Sequence, residues 1–354
     1  MKIKKHWMFS AVSVGFLLIA LALSHHISGR LYHMQTTQRW KGDSGQRFAH
    51  YACYTPVSNG KNKSEIDTLR HTLEQRLSEN GLTASEQGRL YADAYSAAGT
   101  VSAVGEHGSA ALSAVGVGGD FFVFHPMELM SGGYISEQDL MQDRVVLDEI
   151  AAWQLFGGSD VAGLFIKIGE ERYYVAGVVK REEDYASKKT ADDRPVIYLS
   201  YDALAKMSDA QVTSYEVVMP EPVQNFGREL LKERFAADDS CALVCQSDRY
   251  SFSSLWKTFW SIGERMMGGS GIVYPRWEQA IRLTEFHLSL LLVTMLLLLI
   301  YPVITLLVVM IKLISRGIRI SKKRIPALLE QKVEARKEKN YIRKEGEQKW
   351  LESH

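Results

Sequence analysis

The side chains best able to do chemistry in this chain are few. They are three cysteines (Cys53, Cys241, Cys245), an adjacent His25-His26 pair, two glycine-rich stretches and one loop dense in charge. Gly157-Gly158 and Gly268-Gly269-Ser270-Gly271 would cradle a phosphate only within the G-x-x-x-x-G-K-[ST] pattern, whose backbone N–H groups bind nucleotide. Neither is followed by the Lys-Ser/Thr pair, so ATP hydrolysis by that route is excluded. Both stretches read as turns, because glycine supplies positive φ without strain. His25 and His26 are adjacent, and neighbouring residues rarely chelate one ion together, so they read as a solvated pair. Glu182-Glu183-Asp184 and Asp192-Asp193 bracket Lys188-Lys189, but calcium needs acidic residues alternating at ligand spacing. A solvated charged loop is the reading. No G-x-S-x-G, H-E-x-x-H or C-x-x-C occurs. The expectation is a chain with no catalytic, cofactor-binding or metal site, and not an enzyme.

The elements that must position these residues are set by two uncharged runs. Trp7–Ser24 has 18 residues without a charge and Leu288–Ile311 has 24. At about 1.5 Å rise per residue, about 20 residues cross a hydrocarbon core. The second run lacks a polar stripe and is expected to span, with Pro302 kinking it. The first is expected to be a membrane anchor, although Ala20-Leu21-Ala22 also fits a cleavable signal peptide. The 354 residues carry a net charge of only +1, which excludes a generally basic nucleic-acid binder. That balance hides an asymmetry. MKIKK opens the chain, and residues 312–354 hold 13 Lys/Arg against 6 Asp/Glu, leaving the centre acidic. Basic flanks mark the cytoplasmic side, so both termini are expected in the cytosol and the centre outside the cell membrane.

Within the exterior region, Arg47–Tyr54 is a β-prone run, and Ile66, Leu69, Leu73 and Leu77 predict a helix over Ser64–Glu79. Residues 89–119 predict a hairpin turning at Glu106-His107-Gly108. Later the order recurs, with a strand Ser214–Met219, a helix Val223–Phe235 and a strand Ala242–Gln246. Two β-α-β-like halves predict an α+β, ferredoxin-like domain interrupted by an inserted α+β subdomain at about 120–210. The insert is expected to hold a helix around Val146–Phe156 and a strand pair, Leu164–Ile168 and Tyr173–Val179.

On one strand Cys241 and Cys245 would stand ~13 Å apart, too far to bond. First and last strands pair in a ferredoxin-like sheet, so Cys53 could bond Cys241 or Cys245; the other reading is three buried small hydrophobes. Trp256–Met267 reads either as core or as an aromatic belt at the membrane surface. The helix Trp277–His287 is expected to run unbroken into the second span.

Residues 118–179 resemble a known family. Gly119-Asp120-Phe121-Phe122, the Gly132-Gly133 turn, Val145-Val146-Leu147 leading to Ala151, Leu155-Phe156-Gly157, Gly163 and Val175-Ala176-Gly177-Val178-Val179 are similar, in order and spacing, to the extracytoplasmic core domain of MacB-like and FtsX-like ABC transporter permeases. Where that family commonly has Asp-Pro-Val-Gly, this chain has Asp160-Val161-Ala162-Gly163. Family permeases carry four transmembrane helices, so with two the chain resembles a half or truncated permease.

The resemblance implies residues 1–6 in the cytosol, a span at 7–24, a MacB-like core domain at 25–286, a span at 287–311 and a basic cytosolic tail at 312–354. It also implies a separate cytosolic ABC ATPase and a companion permease chain or homo-oligomer. In the family the segment after the second span touches the ATPase, which is one role for Arg316, Arg319, Lys322, Lys323 and Arg324; anchoring on anionic lipid is the other. The expected function is a permease-type subunit coupling that ATPase to the exterior domain. The alternative is a non-transporting, membrane-anchored binding or regulatory protein.

Overall fold

Residues 2–28, 35–42, 45–82, 88–191, 193–235, 241–261 and 271–352 are described in a computed structural model of the full chain. The side chains of 320–331 within the last helix are not among them. Two compact units form, one from Met1–Ala22 with Val293–His354 and one from Leu23–Leu292.

The elements, in order, are α1 (Lys2–Ser28), α2 (Thr36–Lys41), β1 (Phe48–Tyr54), α3 (Lys63–Glu79), β2 (Ala92–Val104) and β3 (Ser109–Gly119). There follow α4 (Phe121–Phe124), β4 (Leu129–Gly132), β5 (Arg144–Asp148), α5 (Glu149–Phe156), β6 (Phe165–Ile168), β7 (Glu171–Val179) and α6 (Tyr185–Thr190). The chain continues with β8 (Val196–Ser200), α7 (Tyr201–Met207), β9 (Ser214–Pro220), α8 (Phe226–Arg234), β10 (Ala242–Cys245), α9 (Phe252–Trp260) and α10 (Arg276–Glu352).

In the larger unit every strand belongs to one sheet, ordered β10-β1-β9-β2-β3-β8-β5-β7-β4, with β6 pairing both β2 and β7. Those two β6 pairings close β2, β3, β8, β5, β7 and β6 into a ring. The inserted strands therefore continue the sheet of the flanking halves instead of forming a separate layer. β2 is long enough to serve both parts: it pairs β9 through Ala92–Ser96 and β3 along Ala94–Val104. The helix α3 starts where a capping box predicts. The Asn62 side chain accepts from the Glu65 N–H at 3.0 Å, and Glu65 Oε2 accepts from the Asn62 N–H at 2.9 Å. Its buried stripe is Ile66, Leu69, Leu73 and Leu77.

Two buried apolar clusters lie against the sheet. The larger contains Tyr51, Leu69, Tyr215 and Leu231, and the smaller contains Trp40, Phe121, Phe124 and Tyr198, with Trp277 packed on it. At the end of β3, Gly119 has φ +64°, and a Cβ there would stand 2.3 Å from the Asp93 carbonyl oxygen. Glycine is required at that point for both reasons.

The expected helix over Val146–Phe156 is corrected. Val145, Val146 and Leu147 are wholly buried in β5 between β7 and β8, and helix begins only at Glu149. The β-branched pair favours the strand, and Asp148 caps the helix by accepting from the Ala151 N–H at 2.7 Å.

In the smaller unit, α1 over His6–Ser28 and α10 over Arg276–Arg319 are long and apolar enough to cross a membrane. The α10 helix passes Pro302 and Pro326 without a break, so the helix expected to start afresh after Pro326 is a continuation. Proline leaves the carbonyl four residues earlier without its N–H donor. For Pro302 that carbonyl belongs to Leu298, and Ser13 of α1 donates its hydroxyl to it at 2.7 Å. His6 and Tyr301 share a hydrogen bond of 2.8 Å, and Ser10 donates to Thr305 at 3.1 Å. These are the polar contacts that hold helices together where apolar burial supplies no drive.

Candidate functional site

The head of α10, Arg276–Leu292, lies in the larger unit. It begins as an amphipathic helix and ends at the uncharged run from Leu288. Polar residues on its inward face are buried, and a buried polar group must find a partner there. Two clusters supply the partners.

The first centres on Arg249, in the turn after β10. Its Nη1 and Nη2 donate to the two oxygens of Glu278 at 2.8 and 2.9 Å, and its Nε donates to Glu285 at 2.9 Å. Glu278 also accepts from Tyr54 of β1 at 3.1 Å, from Gln246 at 3.2 Å and from Arg282 at 2.7 Å. Thr258 of α9 donates to Glu285. Glu278 has no exposed surface and Glu285 almost none. Burial alone would raise the Glu278 carboxyl, but Arg249 and then Arg282 outweigh it and hold it below the usual range. Burial would likewise lower Arg249, and Glu278 and Glu285 reverse that. Two guanidinium groups and two carboxylates balance in charge, and the bidentate Arg249–Glu278 pair fixes orientation as well as distance.

The second cluster centres on Glu216 of β9, also buried. Its Oε2 hydrogen-bonds His50 Nε2 of β1 at 3.0 Å. Its Oε1 takes His125 Nε2 at 2.9 Å and the Trp277 indole N–H at 3.0 Å. The rings of His125 and Trp277 pack at 4.4 Å between centroids, and Phe121 meets Trp277 edge-on at 5.4 Å. Burial would raise the Glu216 carboxyl; His125 and His50 hold it well below the usual range instead. His50 Nδ1 is buried with no partner.

A third network, Arg70 with Asp93 at 2.7 Å and Glu137 at 3.0 Å, ties α3 to β2 and to the segment after β4. Glu137 also accepts from Tyr95 at 2.7 Å and from the Gly119 N–H at 2.9 Å. It stiffens the sheet.

What these arrangements can do is grip and orient. Among the described residues no cluster of three or more His, Cys, Asp or Glu side chains is placed to hold a metal. Of the residues singled out in the sequence, Arg316 and Arg319 are exposed on α10, while the side chains of Lys322, Lys323 and Arg324 lie outside the described residues. Cys53 is buried on β1, and Cys241 and Cys245 are half-buried at the two ends of β10; all three are free thiols. His25 and His26 are exposed near the end of α1. In the acidic loop Asp184 caps α6 and Glu183 pairs with Lys180 at 3.0 Å, while Asp192 lies outside the described residues. Sequence reasoning missed both clusters. The available signals were Glu278, Arg282 and Glu285 at helical spacing on one face, and a lone carboxylate in the strand SYEVVMP.

The family model for the MacB-like periplasmic core domain matches residues 8–226. The chain belongs to that family. It is similar to three solved structures. One is the periplasmic region of MacB from Actinobacillus actinomycetemcomitans, at 16% identity and TM-score 0.40, over 62% of this chain and 92% of that one. Another is the extracellular domain of the noncanonic ABC-type transporter YknZ from Gram-positive bacteria, at 13% identity and TM-score 0.38, over 56% and 100%. The third is a domain of a putative permease protein from Porphyromonas gingivalis, at 14% identity and TM-score 0.34, over 56% and 89%. No curated protein matches the chain. This MacB-like core domain is thus a mixed α/β domain with two long apolar helices at its ends.

Arg249→Met removes the cation that Glu278 and Glu285 share and leaves buried carboxylates short of partners. The full chain in detergent is expected to lose about 3–5 kcal/mol in denaturant unfolding, the usual cost of breaking a buried pair. Loss below about 1 kcal/mol would mean the cluster is not buried as described. A second expectation concerns pH. Glu216 and Glu278 are depressed from 4.5, so their contribution is complete above that value and fades as pH falls through the lower folded value. Melting temperature followed from neutral pH into acid should therefore drop below pH 4.5, and Glu216→Gln should flatten part of that drop.

Proposed function

We propose that this chain is the non-enzymatic, permease-type subunit of an ABC transporter or ABC mechanotransmission complex, with α10 as its transmission element. The observation that carries the reading is the continuity of α10. One helix holds the head gripped by Arg249 and Glu216, the uncharged run Leu288–Ile311, and the exposed Arg316 and Arg319. A displacement of its basic end is passed along an unbroken helix to the sheet strands that hold its head.

In this reading the protein sits in the cell membrane with residues 1–6 and 312–354 in the cytosol, spans at 7–24 and 287–311, and the core domain, 25–286, outside. The basic flanks support that orientation. Arg316, Arg319, Lys322, Lys323 and Arg324 meet a cytosolic ABC ATPase or the anionic lipid beside it. A companion permease chain or a second copy supplies further spans. Within the core domain the order β10-β1-β9-β2, with α3 and α8 as the crossovers, supports ferredoxin-like halves with an insert at about 120–210. Phe252, Trp256 and Trp260 are exposed along α9, which suits a helix resting at the headgroup level.

We assign the disulfide of this domain to Cys53 and Cys241. Cys53 lies opposite Leu243, which puts Cys241 and Cys245 on the flanking positions of the same face. The Cys53 and Cys241 thiols are in hydrogen-bond contact. Burial raises the Cys53 thiol, whereas the Cys53 hydrogen bond lowers Cys241, making Cys241 the attacking thiolate. Exchange with the disulfide of an extracytoplasmic dithiol catalyst would form the Cys53–Cys241 bond and release that catalyst as its dithiol.

Two measurements test the reading. Cross-linking in the native membrane, mild-detergent purification of the full-length chain and mass spectrometry should recover an ABC ATPase; recovery of the chain alone would sink the coupling role. Alkylation under non-reducing conditions should leave Cys53 and Cys241 joined and Cys245 modified. Three alkylated cysteines would remove the disulfide without touching the coupling role.

A further inference from the structure

A cavity of about 370 Å³ opens where the first turn of α10 meets the sheet, lined on one side by Phe121, Tyr198 and Trp277. That volume falls at the lower end of small-molecule sites. Its polar wall carries Lys180, Arg181, Arg194 and Arg276 against two carboxylates, Asp148 and Glu182. Both carboxylates are engaged: Asp148 accepts from Arg181 Nε at 2.7 Å and caps α5, and Glu182 accepts from the Ser187 hydroxyl at 2.9 Å. The wall is therefore cationic by two charges.

Arg276 differs from its neighbours. Its Nη1 is buried and has no hydrogen-bond acceptor, although a guanidinium N–H out of contact with water needs one. It is the first residue of α10, so the unpaired N–H groups of the helix start add positive potential beside it.

We propose that this cavity binds a small anionic amphiphile, an oxyanion held at Arg276 with an aromatic or short aliphatic body against Phe121, Tyr198 and Trp277. The oxyanion supplies the acceptor that Arg276 Nη1 lacks, and the ring wall supplies apolar contact of the kind such sites use. Because Trp277 also donates to Glu216, a ligand seated here touches the residue that the second cluster grips. The binding site stands without the ATPase-coupling reading, since it rests on residues of the core domain alone.

The test uses the full chain in detergent with three probes, measured by equilibrium dialysis. Phenyl phosphate presents charge and ring, benzyl alcohol the ring alone, and inorganic phosphate the charge alone. Phenyl phosphate is expected to bind saturably and more tightly than either of the others. Arg276→Gln should weaken phenyl phosphate by about tenfold or more, the loss of one charge-assisted hydrogen bond, with Arg276→Lys in between. Should Arg276→Gln fail to fold by circular dichroism, added salt gives the second measurement. Phenyl phosphate affinity for the unmodified chain should fall with ionic strength while benzyl alcohol stays constant. Equal binding of benzyl alcohol, equal binding of inorganic phosphate, an undiminished Arg276→Gln, a salt-independent phenyl phosphate affinity, or no saturable binding would each overturn the proposal.

Discussion

Two carboxylates on one face of a helix that leads into an apolar run have to be neutralised before the helix can pack, and most of the larger unit is arranged around that requirement. Glu278 and Glu285 stand seven residues apart, two turns of helix, so one cation between them can serve both. Arg249 is that cation. Its place is fixed by β10, which ends four residues earlier, and its other neighbours are drawn from β1 through Tyr54 and from α9 through Thr258. The edge strand β10 is only four residues long. It holds its place because it leads directly to a side chain that the helix head cannot do without.

Buried ion pairs contribute little net stability over an apolar core of the same shape, but breaking one partner away is expensive. A joint built from them therefore favours a small number of exact arrangements over a continuum of loose ones. The Glu216 cluster has the same character by a different route. One carboxylate collects His50, His125 and Trp277 from β1, from the end of α4 and from the first turn of α10. β1 contributes to both clusters, through His50 and Tyr54, and it pairs with both β9 and β10. A shift of the helix head has no route that avoids that strand.

The fold was largely legible in the amino-acid sequence where one local pattern decided the element. The i, i+3, i+4 leucines of α3, the small alternating residues of β2 and β3, and the repeated β-α-β order all appear in the structure. Val146–Leu147 was misread because a buried strand and a buried helix share the same apolar composition, and only the cap at Asp148 separates them. The two clusters on the helix head were illegible for a different reason. Arg249 and Glu278 are 29 residues apart, His50 and Glu216 are 166 apart, and nothing local distinguishes either partner from a surface charge. Charge pairs across such separations are made by topology, not by spacing.

The apolar helices carry the same lesson in the opposite environment. A proline within a span leaves one carbonyl without its donor, and lipid offers no water to replace it. Leu298 is the carbonyl that Pro302 strands, and its donor is Ser13. A serine in an uncharged run looks incidental in the sequence, and Ala20-Leu21-Ala22 nearby suits a cleavage site as well as a span. The structure gives Ser13 a task that only a retained α1 can perform. With α1 removed, the Leu298 carbonyl would face hydrocarbon unpaired, at a cost of several kcal/mol by the usual figure for such groups. The uninterrupted course of α10 through Pro302, on which transmission along the helix depends, is thus underwritten by a side chain from the other helix.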